Sequence, residues 1–111
     1  MHIHYISEEN SILNHFLTQL RDVNIQKDSM RFRKNIERIG EIMAYELSKT
    51  LEYKDIKVQT PLGIKETTTV ADNVVLCSIL RAGLALHQGF MNFFDDAENG
   101  FVSAYRHHYN N

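Results

Sequence analysis

The apolar positions change their period along this chain, and the changes mark its elements. Ile12, Leu13, Phe16, Leu17 and Leu20 recur at helical spacing and predict an amphipathic helix over 8–21. The polar stretch from Asn24 to Ser29 interrupts that pattern. Asp28 or Ser29 is suited to cap a second helix, in which Phe32, Ile36, Ile39, Met43 and Leu47 form one stripe. That helix should run from about 30 to 50.

The middle of the chain switches to alternation. Ile56, Val58 and Thr60 alternate with Lys57 and Gln59, as in a half-buried strand. Pro61-Leu62-Gly63 supplies a turn, and Ile64 to Val70 can return beside the first strand. The pattern predicts a hairpin over 52–72, an arm that lies on the surface or pairs with a partner chain.

Val74 to Leu80 is a nearly continuous apolar run, the pattern of a parallel strand covered on both faces. After Arg81-Ala82-Gly83, the residues Leu84, His87, Phe90, Met91 and Phe94 recur at helical spacing. Asp95 to Gly100 reads as a loop and Phe101 to Tyr105 as another strand. Residues 73–106 are therefore expected to form one βαβ unit, right-handed by the usual rule. The fold class is α/β: two amino-terminal helices, a hairpin arm and a parallel βαβ unit, in a single domain over 1–111.

Composition narrows the function classes without choosing one. The 111 residues are 43% apolar and 23% charged, and 12 basic against 14 acidic side chains leave a net charge of −2. Such a balance offers no broad basic field for nucleic acid or anionic membrane. No apolar run approaches the roughly 18 residues of a spanning helix, and Met-His-Ile-His-Tyr resembles no signal peptide. One cysteine excludes an internal disulfide framework and a multi-cysteine zinc site. A cytoplasmic location is the expectation.

The candidate chemistry sits where the βαβ unit should open. Ligands of such units bind outside the carboxyl ends of the strands. Arg81 follows the first strand and Arg106 follows the second, so adjacent strands would open both guanidinium groups onto one crevice. The helix beginning near Gly83 would aim its free N–H groups and positive dipole end there too. Ala82 and Gly83 leave room for close approach to a phosphate. Together these describe a polyanion site, most naturally for a diphosphate.

Other residues invite chemistry and have plainer readings. His2 and His4 alternate and His107 and His108 adjoin, but neither pair has the spacing of a third metal ligand. His87 reads as packed or surface-exposed. Cys77, inside the apolar strand, reads as a small hydrophobe. Arg31, Lys34 and Arg38, interleaved with Glu37 and Glu41, read as a solvated helix face. Met30, Met43 and the phenylalanines at helical spacing read as core.

The stretch Ser78-Ile79-Leu80-Arg81-Ala82-Gly83-Leu84 resembles the Ile-Leu-Arg-Ala-Gly-Leu turn of the uracil phosphoribosyltransferases. Other segments are similar to that family in the same order: Leu20-Arg21-Asp22 with Asn24, Phe32-Arg33, Ile39-Gly40-Glu41, Ala44-Tyr45-Glu46, Thr60-Pro61-Leu62-Gly63 and Tyr105-Arg106. The resemblance runs over essentially the whole chain. It implies a partial type I phosphoribosyltransferase fold and an enzyme making UMP and diphosphate from uracil and phosphoribosyl diphosphate, in pyrimidine salvage. Magnesium would be carried with the phosphoribosyl diphosphate. Arg81 and Arg106, with Ala82 and Gly83, would bind that substrate. A cis peptide is implied at Leu80–Arg81, and the hairpin around Thr60–Val70 would reach across to a second subunit of a dimer.

The chain also departs from the family's pattern. Gln88 stands before Gly89 where an acidic residue is common, and His107-His108-Tyr109-Asn110-Asn111 lacks the usual acidic-Pro continuation. Family chains are roughly double this length. The Asp-Pro-Met-Leu-Ala-Thr-Gly-Gly-Ser phosphate loop and the Gly- and Asp-rich segment that reads uracil have no counterpart here. The expectation is an amino-terminal half that holds a diphosphate but does not turn over alone. The alternatives are a non-catalytic dimerising fragment of the same fold and a regulatory pyrimidine-nucleotide-binding protein.

Overall fold

The computed structural model describes residues 2–107. A short 3-10 turn over Ile6–Glu8 precedes helix α1, Leu13–Arg21. This helix begins at Leu13 rather than at residue 8. Ser11 explains the late start, because its hydroxyl accepts the Leu13 N–H at 3.2 Å and offers the backbone a local turn instead of a helical one. Ile12 is left outside the helix and exposed.

Helix α2 spans Ser29–Ser48. Asp28 is its N-cap, with an extended backbone and a carboxylate that accepts the Arg31 N–H at 3.1 Å. Replacing that acceptor leaves one first-turn N–H without its partner. Asp28→Ala should therefore cost about 1 kcal/mol, read as a lower urea midpoint at unchanged slope.

The buried line of α2 is not the predicted large apolar stripe. Its buried residues are Asn35, Gly40 and Ala44, whereas Met30, expected in the core, is 62% exposed and Phe32 also faces out. Close helix crossings select small residues, and α2 is crossed by two helices. Near its start Asn35 donates to Gln19 of α1 at 2.8 Å and accepts from Arg38 at 3.2 Å, while the Arg38 guanidinium lies 5.4 Å from the Phe16 ring centroid. Arg38 is thus part of the α1–α2 contact rather than only a solvated charge. Farther along, Gly40 meets the third helix.

Strands β1, Tyr53–Thr60, and β2, Gly63–Val70, form an antiparallel hairpin whose pairing runs from Tyr53↔Val70 to Thr60↔Gly63. Its loop is Pro61-Leu62. Thr60 Oγ1 accepts from the Leu62 N–H at 3.2 Å and donates to the Gly63 carbonyl at 2.7 Å. Gly63 adopts φ 136°, a conformation that L side chains rarely take. The predicted half-burial of β1 does not occur: Val58 and Ile64 are exposed, Ile56 is only partly covered, and Leu62 at the tip is wholly exposed. The two strands make their main contacts with each other and stand away from the body.

Strand β3, Val75–Leu80, helix α3, Leu84–Met91, and strand β4, Glu98–Ser103, form the βαβ unit. β3 and β4 pair in parallel, from Val75↔Glu98 to Leu80↔Ser103. The second strand therefore begins inside the predicted loop and ends before Tyr105. Asn99 accounts for the early start, since it bridges to the Ala97 carbonyl at 3.2 Å and meets His87 of α3 at 2.8 Å. His87 is buried there, with its ring 5.1 Å from that of Phe101.

Only one face of this sheet is covered. Leu76 and Ser78 are buried beneath α3, but Val75 and Ile79 are 63% and 61% exposed, and Cys77 and Val102 are exposed as well. The continuous apolar run predicted cover on both faces. Among the described residues only α3 and β4 pack substantially on β3, so its other face is open.

Candidate functional site

The parallel register decides what the carboxyl ends of the strands bring together. Leu80 pairs with Ser103, so the chain leaves both strands at the same edge of the sheet. Arg81 follows β3 directly, while Arg106 lies three residues beyond β4 rather than immediately after a strand. Both are exposed, and among the described residues neither guanidinium is paired with a carboxylate. The carboxylates gather at the other end: Asp72, Asp96 and Glu98 line a cavity of about 600 Å³ by the amino ends of the strands. The sheet thus has a basic edge and an acidic one.

The turn between β3 and α3 is compact. The Leu80–Arg81 peptide is cis, as the resemblance implied. The Gly83 N–H donates to the Ile79 carbonyl at 3.0 Å, and the Leu84 N–H donates to the Arg81 carbonyl at 3.2 Å. A Cβ on Gly83 would lie 2.6 Å from Ser78 Oγ and 2.8 Å from the Ile79 carbonyl oxygen, so no larger residue fits. No side chain caps α3. Beyond those two amides, the Ala85 and Leu86 N–H groups have no intrahelical partners, and the positive end of the helix faces the strand ends. Arginine forks and the remaining free amides of an uncapped helix start form a donor set that holds oxyanions.

The same donor set is unsuited to a bare cation. Among the described residues no group of three or more His, Cys, Asp and Glu side chains could hold a metal ion. A magnesium ion fits this edge only as the companion of an anion, bound to the anion's own oxygens. His2, His4 and His107 are exposed. Residues 108–111, which include the rest of the His107–Asn111 tail, lie outside the described residues. No helix among the described residues is long and apolar enough to cross a membrane.

Two site features escaped the sequence reading. Buried His87 and exposed Asn99 form a part-buried link between α3 and β4, and only the strand register brings them together. Ser78 sits inside the recognisable turn motif, yet nothing in the motif marks its hydroxyl as buried under Gly83.

A βαβ unit with this cis turn and basic edge, preceded by two helices and a hairpin, is a partial type I phosphoribosyltransferase fold. A solved structure, the AQ2163 protein from Aquifex aeolicus, superposes with a TM-score of 0.71 at 25% identity, over 84% of this chain and 44% of that one. The profile of the family described as uracil phosphoribosyltransferase matches residues 6–111. A uracil phosphoribosyltransferase of Porphyromonas gingivalis is 54% identical over 106 residues, 96% of this chain and 49% of that protein. One from Thermococcus gammatolerans is 40% identical over 104 residues, 92% of this chain and 46% of that protein. The chain belongs to the uracil phosphoribosyltransferase family, and it spans about half the length of these relatives.

Proposed function

We propose that this chain supplies the diphosphate-holding half of a uracil phosphoribosyltransferase, which joins uracil to phosphoribosyl diphosphate and releases UMP and diphosphate. The reading is carried by the parallel register, with Leu80 beside Ser103, which sends the Arg81 and Arg106 segments off one sheet edge at the start of α3. At that edge Arg81 and Arg106 would neutralise the charge that builds on the leaving diphosphate as its bond to the ribose C1 breaks. The Ala82–Gly83 turn would let the diphosphate lie close to the backbone. Magnesium, bound to the diphosphate oxygens, would offset part of their charge. The segments that hold the 5′-phosphate and the pyrimidine would come from the half present in the relatives. The enzyme would act in pyrimidine salvage in the cytoplasm.

The hairpin supports a dimeric arrangement. Val58 on one face of the arm, Ile64 on the other and Leu62 at its tip are exposed apolar side chains with no cover of their own, suited to a second subunit.

Calorimetric titration with magnesium diphosphate, and a UMP-forming assay on the same preparation, test this reading. Saturable diphosphate binding without UMP formation is the expected pair of results. A chain that fails to bind diphosphate at millimolar concentration does not carry the site. UMP formed by this chain with no second polypeptide present would show that residues 1–111 carry the whole activity.

A further inference from the structure

Ser78 lies on the covered face of β3, six residues before Leu84, and is 6% exposed. Its Oγ has no hydrogen-bond partner among the described residues. Leaving a buried hydroxyl unpaired costs free energy that an alanine at the same position would not incur. An unpaired buried hydroxyl is thus a disadvantage to the fold by itself, which points to a partner from outside.

Its surroundings indicate where that partner arrives. Ser78 Oγ lies 2.6 Å from the place a Gly83 Cβ would take, so the hydroxyl abuts the turn where a side chain at Gly83 would otherwise stand. Ser78, Gly83, Leu86, His87 and Phe90 also share the wall of a cavity of about 450 Å³, ample for an ordered water. The N–H of Gly83 is already committed to the Ile79 carbonyl, so that amide does not compete for the same acceptor.

We infer that Ser78 is a further binding group of the anion edge, whose hydroxyl proton finds its acceptor, directly or through one water, on an oxyanion held at the Arg81–Gly83 turn. The inference rests on the diphosphate reading above and extends it to a residue behind the turn. It has a signature that a merely structural role lacks, because stability and affinity move in opposite directions. Removing the hydroxyl relieves the free chain of an unpaired group and deprives the bound state of a hydrogen bond.

The test compares the unsubstituted chain with Ser78→Ala and Ser78→Thr, measuring thermal midpoint and magnesium diphosphate affinity for each. Ser78→Ala is expected to melt at the same or a higher temperature and to bind about tenfold more weakly. Ser78→Thr, which keeps the hydroxyl, should bind within about threefold of the unsubstituted chain. Ser78→Ala binding at full strength overturns the inference and leaves the diphosphate site standing. A lower midpoint together with weaker binding overturns it too, since the hydroxyl would then be serving the fold. Absence of diphosphate binding by the unsubstituted chain removes the site and this inference with it.

Discussion

Gly89→Ala should lower the stability of this chain by about 3 kcal/mol or more, the range of a backbone clash that no side-chain rotation relieves. Gly89 of α3 is buried against α2, and a Cβ there would run into the Glu37 carbonyl and lie 2.9 Å from both the Glu41 nitrogen and the Gly40 Cα. Gly40 answers from the other helix, where a Cβ would lie 2.6 Å from the Leu86 carbonyl oxygen and 3.2 Å from the Gly89 Cα. The helices therefore meet backbone to backbone. Asn92 fixes the crossing from the side by donating to Glu37 at 2.9 Å and to Glu41 at 3.1 Å. The measurement is the urea midpoint beside that of Gly100→Ala. At Gly100 the nearest atom to an added Cβ is Cys77 Sγ at 3.8 Å, an ordinary contact, so that variant should stay within about 0.5 kcal/mol. Equal midpoints for the two variants would show that α2 and α3 can separate at no cost.

Arg81→Ala should weaken magnesium diphosphate binding by about 10- to 100-fold, the worth of one or two charge-assisted hydrogen bonds. Arg81 leaves β3 directly, so the turn holds its backbone in place. Arg106 is separated from β4 by two residues of irregular chain, Ala104 and Tyr105, and more of its freedom must be lost on binding. Arg106→Ala should consequently cost less than Arg81→Ala. Arg81→Lys keeps the charge but loses the planar fork, and is expected to recover only part of the affinity. Titration calorimetry at fixed ionic strength reads all three. An Arg81→Ala chain with undiminished affinity would place the anion elsewhere.

The sequence made the order of elements legible because each carries its own period. Alternation and the Pro61-Leu62 turn placed the hairpin, and the break in period after Leu80 placed the turn into α3. The edge that carries the candidate site was legible for a related reason: parallel strands put their carboxyl ends together, so the segments holding Arg81 and Arg106 leave the sheet at one edge. What could not be read is contact between elements. The buried line of α2 is Asn35, Gly40 and Ala44: Asn35 bonds to Gln19 of α1 through its side chain and Gly40 lets the α3 backbone close in, and apolar periodicity is blind to both. Cys77 and its neighbours have a composition suited to a two-faced interior, but cover for the second face is a property of the whole assembly of elements. The strand expected over Phe101 to Tyr105 runs instead over Glu98–Ser103, and its start three residues earlier follows from Asn99, a polar residue that ties the beginning of β4 to His87.

The outstretched hairpin also has a hydrodynamic consequence. Its strands of eight residues, at about 3.4 Å per residue, reach about 27 Å, and the molecule extends 66 Å along its longest axis against 32 and 31 Å across. The radius of gyration is 18.2 Å, which a rounded protein would attain only at about 260 residues. A single copy would therefore elute from a sizing column near the position of a compact pair. Stoichiometry has to be taken from light scattering or sedimentation equilibrium, which weigh the particle irrespective of its outline.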